Sequence, residues 1–306
     1  MGWVQRTRNL GQIIFVWLRD KTGVVQAVFD SGNVNEKVFA AGESLRGEYV
    51  CAVTGKVALR DANAVNDKLK TGKIEILAED VRIFNKAETS PIYIDDDHPD
   101  ESETVRLKYR YLDLRRPSMQ KMLSFRHQVL RALRAHFDAN GFTEIETPIL
   151  TKSTPEGARD FLVPSRLHGG EFYALPQSPQ IYKQLLMLAG TDRYYQVARC
   201  FRDEDARADR QPEFTQLDLE MSFVEPEDVQ GVVEGAFANV FKSVLGVEKQ
   251  LPLERITWQE AMETYGSDKP DRRFGMKLVN MDAAVACMLL VMNDAPKGLR
   301  KQTKEY

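Results

Sequence analysis

Over the first ninety or so residues, hydrophobic and polar positions alternate with a period of two. Residues 2–8, 12–19 and 24–29 are runs of β-branched and aromatic residues, separated by turn signals at Asn9-Leu10-Gly11 and Lys21-Thr22-Gly23. This spacing predicts three strands. A helical stretch from about residue 34 to 45 follows, then two more strands, 49–59 and 73–84. Beyond residue 117 the period changes to that of a helix. Over residues 119–140, Met122, Leu123, Phe125, Val129, Leu130, Leu133 and Phe137 form an apolar stripe, and Gly141 supplies the stop. A short strand running to Pro148 comes next; proline cannot donate a ladder hydrogen bond, so it suits an edge or a boundary. Ser178 is placed to cap a helix that opens at Pro179. A further helix over 226–246 turns Val229, Val233, Phe237, Val240, Phe241 and Val244 inward.

Between the last two helices, residues 195–223 read as an antiparallel hairpin with a long polar tip holding Asp203, Glu204, Asp205, Arg207, Asp209 and Arg210. In the second run Phe214, Gln216, Asp218, Glu220 and Ser222 share one face, and Thr215, Leu217, Leu219, Met221 and Phe223 share the other. The apolar face must cover a core, which leaves the polar face as the wall of a wet cavity. Gln180 and Lys183, three apart, share the first turn of the helix that follows Ser178. An amide and an ammonium converging at a helix N-terminus could hold a small dicarboxylate; the alternative is a solvated first turn.

Composition narrows the picture. The 306 residues are 43% hydrophobic and 28% charged, an ordinary globular balance for about two domains. The formal charge of −3 argues against wholesale electrostatic binding of nucleic acid but leaves room for a local basic surface. The longest apolar run, 283–292, is too short to span a bilayer, so no membrane partner is expected. Cys51, Cys200 and Cys287 are odd in number and lack a C-x-x-C pair, which suggests a reducing, cytoplasmic compartment and no metal site. Three strands, a helix and two strands is the order of an OB-fold, a barrel that commonly binds single-stranded nucleic acid. Arg6, Arg8, Arg19 and Lys21 offer charge for phosphates, Phe15 a ring for base stacking, and Gln26 and Glu75 hydrogen bonds for base edges. The other reading of Phe15 is a barrel core residue.

The string Arg199-Cys-Phe-Arg-Asp-Glu-Asp205, with Arg207-Ala-Asp-Arg-Gln-Pro-Glu-Phe-Thr-Gln216 and Asp218, resembles the second signature motif of the class II aminoacyl-tRNA synthetases, and the bacterial aspartyl-tRNA synthetase family in particular. Gln177-Ser178-Pro179-Gln180 with Lys183, the Gly141 to Pro148 segment and Gly266-Ser-Asp-Lys-Pro-Asp271 are similar to further family segments, the second of them to the dimer-forming first motif. The resemblance covers residues 2 to about 280, roughly the first half of a synthetase. No element like the third class II motif follows. It implies a multi-domain fold: an N-terminal OB-fold β-barrel over 1–86 that binds the anticodon, a linker or hinge over 87–116, and a partial class II α+β catalytic domain over 117–306, an antiparallel sheet with flanking helices.

The family's function is to activate L-aspartate with ATP and Mg2+, then transfer it to the 3′ end of tRNA(Asp). The resemblance assigns Arg8, Phe15, Gln26 and Glu75 to the anticodon; Val28 stands where the family often carries a second aromatic. It assigns Glu156, Ser178, Gln180, Lys183, Arg202, Gln216 and Asp218 to aspartate, with Lys183 on the side-chain carboxylate. It assigns Arg202, Asp203, Glu204, Gln211 and Phe214 to ATP, with Arg202 as the catalytic residue. Pro148 falls at the interface of the implied homodimer. Mg2+ comes with the substrate and no protein metal site is implied. The rivals are an asparaginyl- or lysyl-tRNA synthetase, a relative that also charges tRNA(Asn), and a non-catalytic tRNA-binding fragment. A neutral amide substrate would leave a buried Lys183 without a partner.

Overall fold

A computed structural model describes residues 1–96, 101–154, 156–207, 209–273, 275–280 and 288–290. Cys287, the centre of the acidic linker and most of the apolar run over 283–292 lie outside these residues. The chain divides into two compact units, Met1–Arg131 and Ala132–Tyr306.

The first unit begins with strands β1 (Gly2–Asn9), β2 (Ile13–Asp20) and β3 (Gly23–Asp30), helix α1 (Glu36–Ser44), and strands β4 (Val50–Leu59) and β5 (Ile74–Asn85). They close into a barrel in the order β1-β2-β3-β5-β4. The inward positions Val4, Ile14, Val16, Leu18, Ala27, Phe29, Cys51 and Ala78 form one buried cluster. Val38 and Leu45 of the α1 region join this cluster, and Asn35 caps α1 by accepting from the Val38 N–H at 2.9 Å. β4 carries a register shift between Thr54 and Gly55. A Cβ at Gly55 would sit 2.0 Å from the Leu77 carbonyl oxygen, so only glycine allows the strands to meet there.

After the barrel, the chain packs Ile92 and Ile94 and forms α2 (Glu103–Lys108) and α3 (Arg110–Asp113). Asp113 is wholly buried and ion-pairs with Arg106 at 2.8 Å, Arg110 at 2.6 Å and Arg116 at 3.2 Å. Arg106, Arg110 and Arg116 therefore serve an internal carboxylate, whereas Arg115 pairs with Glu48 at 2.8 Å; Arg116 also meets Glu101. Arg19 corrects an expectation. It is buried, forms a two-pronged pair with Glu48 at 2.8 Å and donates to the Ile94 carbonyl at 3.4 Å. It cannot reach a phosphate.

The second unit is organised by a three-stranded sheet. Helix α4 (Pro117–Ala139) runs from the first unit into it; β6 (Thr143–Glu144), β7 (Leu162–Pro164), β8 (Phe172–Ala174) and α5 (Gln180–Leu188) follow. Next come β9 (Arg193–Phe201), β10 (Glu213–Met221), α6 (Pro226–Leu245) and α7 (Trp258–Tyr265), then β11 (Leu278–Asn280) and β12 (Met288–Leu290). The sheet order is β10-β9-β6, with β9 and β10 antiparallel from Arg193↔Met221 to Phe201↔Glu213. One face packs Tyr195, Leu217 and Leu219 against Phe137, Phe142 and Ala236. Phe137 stacks on Tyr195 with ring centroids 5.0 Å apart. Gly246 ends α6 in the left-handed region, φ 68°, which a glycine adopts without strain.

Two helix faces differ from expectation. On α4, Met122, Leu123 and Phe125 are exposed, and the stripe covers core only at Ala132, Leu133 and Phe137. On α6, Phe237 is 55% exposed while Val232 and Ala236 face the core. A regular apolar stripe marks one side of a helix, but the neighbouring sheet decides which part of it is covered.

Candidate functional site

The hairpin register builds a floor. Phe214, Gln216, Asp218 and Glu220 stand directly across from Cys200, Ala198, Gln196 and Tyr194, so all eight share one face of the β9–β10 pair. Asp218 is 6% exposed, and α5 delivers Lys183 to it. The Lys183 ammonium lies 2.9 Å from Asp218 Oδ1, 3.2 Å from Glu220 Oε2 and 3.4 Å from the Leu219 carbonyl. Its three donors are thus all engaged. Burial alone would lower the Lys183 pKa, yet its bonds to Asp218 and Glu220 prevail and hold it above the usual lysine value. Burial raises Asp218 above the carboxylate range, against the pull of Lys183.

Asp218 Oδ2 is buried, and bonds from Lys183 and the Tyr194 hydroxyl pull the Asp218 carboxyl down while burial pushes it up. The Tyr194 hydroxyl lies near enough for Asp218 to help raise its pKa, after burial. It also lies 2.8 Å from Gln196 Oε1, to which it can donate and which accepts from Thr147 Oγ1 at 3.0 Å.

Around this floor the residues meet in pairs. Ser178 Oγ donates to Glu156 Oε2 at 2.6 Å, and Thr154 Oγ1 to Glu156 Oε1 at 3.1 Å. Ser178 is therefore not the helix cap; Pro179 is, its carbonyl accepting from the Lys183 N–H at 3.0 Å. Gln216 Oε1 accepts a long 3.5 Å contact from Cys200 Sγ. The Arg202 guanidinium lies 5.2 Å from the Phe214 ring centroid, within cation–π range. The Asp203, Glu204 and Gln211 side chains stay on the exposed tip, with Glu204 3.9 Å from Arg210. Gln180 is half-buried on the first turn of α5. Pro148 is exposed and lines a cavity of about 230 Å³ together with Glu144, Glu146, Thr147 and Arg134.

Gln177 carries a role that the sequence pattern did not expose. It is 1% exposed, accepts from the Ala158 N–H at 3.0 Å, donates to the Ala158 carbonyl at 2.9 Å and also reaches Asp160. One amide thereby fastens the loop that presents Glu156. Burial pushes the Asp160 carboxyl up, but bonds from Ser153 and Gln177 hold it below its usual value. Gln177 precedes Ser178 in the motif, the only signal that could have found it.

The barrel gathers a second set of residues. A cavity of about 310 Å³ is lined by Arg6, Arg8, Phe15, Trp17, Gln26 and Arg60, with Ala64 and Asn66. Phe15 thus faces outward rather than into the core. Arg8, Phe15 and Val28 are cross-strand neighbours on β1, β2 and β3, as are Arg6, Trp17 and Gln26. Gln26 Nε2 donates to Glu75 Oε2 at 2.9 Å. Trp17 and Arg60 were not singled out in the sequence, though the period-two pattern puts Trp17 on the face of Phe15.

An OB barrel followed by a helix-flanked antiparallel hairpin with a charged, polar floor defines a class II synthetase architecture. The chain belongs to the tRNA synthetases class II (D, K and N), whose family model matches residues 102–303, and residues 1–84 match the OB-fold nucleic acid binding domain. It is 58% identical over 296 residues to an aspartate–tRNA ligase of Ruminiclostridium cellulolyticum, covering 96% of this chain and 49% of that protein. It is 60% identical over 287 residues to an aspartate–tRNA(Asp/Asn) ligase of Symbiobacterium thermophilum, covering 94% and 48%. The chain therefore spans about half the length of these relatives. Among solved structures, asparaginyl-tRNA synthetase of Pyrococcus horikoshii complexed with asparaginyl-adenylate matches with TM-score 0.70 and 27% identity, over 80% of this chain and 54% of that one.

Proposed function

We propose that this chain carries the amino-acid floor and the anticodon-binding barrel of an aspartate–tRNA ligase. The observation that carries the reading is the buried Lys183–Asp218 pair, 2.9 Å apart on the polar face of the β9–β10 floor. L-Aspartate has the complementary charges. Its ammonium pairs with the Asp218 carboxylate, with Ser178 and Gln180 beside it. Its side-chain carboxylate takes the place of Glu220 on Lys183; Glu220 is the more exposed of the two protein carboxylates, 31% against 7%, and the easier to displace. A neutral asparagine amide cannot replace that anion.

The α-carboxylate of the bound amino acid is ionised at neutral pH, so it needs no general base. One of its oxygens forms a bond to the α-phosphorus of ATP as the bond to pyrophosphate breaks, and aspartyl-adenylate remains. The hydroxyl at the 3′ end of tRNA(Asp) then attacks the mixed anhydride and AMP leaves. Arg202 is placed to bridge carboxylate and α-phosphate, because its planar fork binds both oxyanions at once. Phe214 supplies an adenine platform, Glu204 an acceptor for the adenine amino group, and Asp203 and Gln211 further contacts to the nucleotide. Glu156 closes over the amino acid on the loop that Gln177 fastens. Mg2+ bound to ATP as part of the substrate would neutralise charge on the phosphates.

In this reading residues 1–86 bind the anticodon through Arg8, Phe15, Gln26 and Glu75, residues 87–116 are the hinge, and residues 117–306 belong to the catalytic domain. The segment at Pro148 meets a second copy in a homodimer. The protein works in the cytoplasm. Among the described residues no helix is long and apolar enough to cross a membrane.

Lys183→Met tests the reading. Removing one member of a buried pair typically costs roughly 3–5 kcal/mol, so aspartate affinity should fall about 100-fold or more while ATP affinity stays nearly unchanged. Titration calorimetry with each ligand measures both. Equal loss of the two would overturn the assignment.

A further inference from the structure

We infer that Trp17 fixes which hydrogen-bonding edge Gln26 shows to a bound RNA base, which makes Trp17 a specificity-determining residue of the barrel; this rests on the RNA-binding reading above. A primary amide has two orientations of nearly equal shape, and only its neighbours choose between them. Gln26 has neighbours of opposite kind at its two ends. The Trp17 indole N–H, a donor only, gives its hydrogen to Gln26 Oε1 at 3.1 Å. The Glu75 carboxylate, an acceptor, takes one from Gln26 Nε2 at 2.9 Å. A flipped amide would set N–H against N–H and carbonyl against carboxylate, losing both bonds at once.

The two clamps are not equivalent. Glu75 Oε2 lies 3.8 Å from Arg60 as well, so its hold on Gln26 is shared. Trp17 pins the carbonyl end and occupies one of its lone pairs. Without the indole N–H, Oε1 could swing and accept from a base, so the cavity would present a different pattern. Trp17 is itself held from both sides. Gln26 is its cross-strand partner on β3 and Arg6 its partner on β1, with the Arg6 guanidinium 5.9 Å from the indole ring.

A buried cation stands beside this pair. Arg60, which lines it, is 8% exposed; its Nε donates to the Ile74 carbonyl at 3.0 Å, while Nη2 is buried with no partner among the described residues. The cavity therefore sets a largely buried guanidinium beside an amide whose orientation is fixed. That combination discriminates among bases, since a base whose donors and acceptors do not match the fixed Gln26 edge forfeits a hydrogen bond there.

The test uses the whole chain and four heptaribonucleotides identical except for A, C, G or U at the central position. Affinities are measured by fluorescence polarisation at one fixed salt concentration. Trp17→Phe keeps a ring and removes the N–H. It should compress the ratio between the best and worst base about fivefold, the value of one net hydrogen bond. Gln26→Ala should compress it as well, and the double variant should do no more than Gln26→Ala alone. If Trp17→Phe weakens all four oligonucleotides equally, or adds to Gln26→Ala, Trp17 only stacks and the inference falls. Failure of the unaltered chain to bind any of the four would strike the RNA-binding reading itself. A readout independent of the Phe variant is hydrogen exchange of the Trp17 indole N–H. It should be slow in the unaltered chain and faster in Gln26→Ala; equal rates would overturn the lock.

Discussion

Burial raises the Cys200 thiol to about 11, with the Arg202 guanidinium pulling the other way. At pH 8 only about one part in a thousand would be thiolate, the reactive form. Cys51, buried in the barrel, is raised too. In a Cys287→Ser variant, a thiol reagent at pH 8 should therefore label neither cysteine until denaturant is added. Prompt labelling of either one in the native chain would contradict the packing described for it. Other residues carried less in the sequence than they do in the fold. Lys183 and Asp218 were legible as charges on convergent faces, but their pairing with each other was not, because it depends on how α5 lies along β10. Arg19 was misread for a related reason. Its neighbours on β2 alternate as expected, yet the groups that bury it, Glu48 and the Ile94 carbonyl, lie 29 and 75 residues away in the chain.

Among the elements, α3 is held by a buried charge and the β9–β10 hairpin by an apolar ring of α4 packed against it. Asp113 must stay charged. Burial pushes its carboxyl up, but bonds from Arg106 and charges from Arg110 and Arg116 hold it below its usual value. A carboxylate lowered in the folded state stabilises above the unfolded pKa, and that contribution is lost as pH falls through the folded one. Asp113→Asn should thus cost roughly 3–5 kcal/mol at neutral pH, the range for breaking a buried ion pair. The cost should shrink as pH falls below about 4, where the unfolded carboxyl is itself protonated. Urea unfolding at pH 7 and pH 3 measures both, and an equal cost at the two would contradict the assignment. On the apolar face of the hairpin, Phe137→Ala removes a ring with no exposed surface, stacked on Tyr195. A loss of about 3–5 kcal/mol follows; a loss under 1 kcal/mol would show that the cluster is loosely packed. Five barrel strands and the hairpin were readable because alternation and turn residues are local signals. Covered and uncovered parts of α4 and α6 were not, since the stripe that holds Leu133 also holds the exposed Met122 and Phe125.

For the whole molecule, the family assignment rests on matches that span nearly all of this chain and about half of each relative. Both parts of the proposed function then lie within the chain, the base-binding cavity in the first unit and the amino-acid floor in the second. A floor that selects a dicarboxylic amino acid confines the ligand's effect to one unit. A ligand that binds only the folded form at 100 times its Kd stabilises by about 2.7 kcal/mol. Hydrogen exchange followed by mass spectrometry, with saturating ATP present throughout, compares L-aspartate with L-asparagine. Aspartate should slow exchange across 151–160, 177–188 and 196–220 and leave the barrel over 2–85 unchanged, while asparagine at the same concentration should do neither. Equal protection by the two amino acids would contradict the Lys183–Asp218 account.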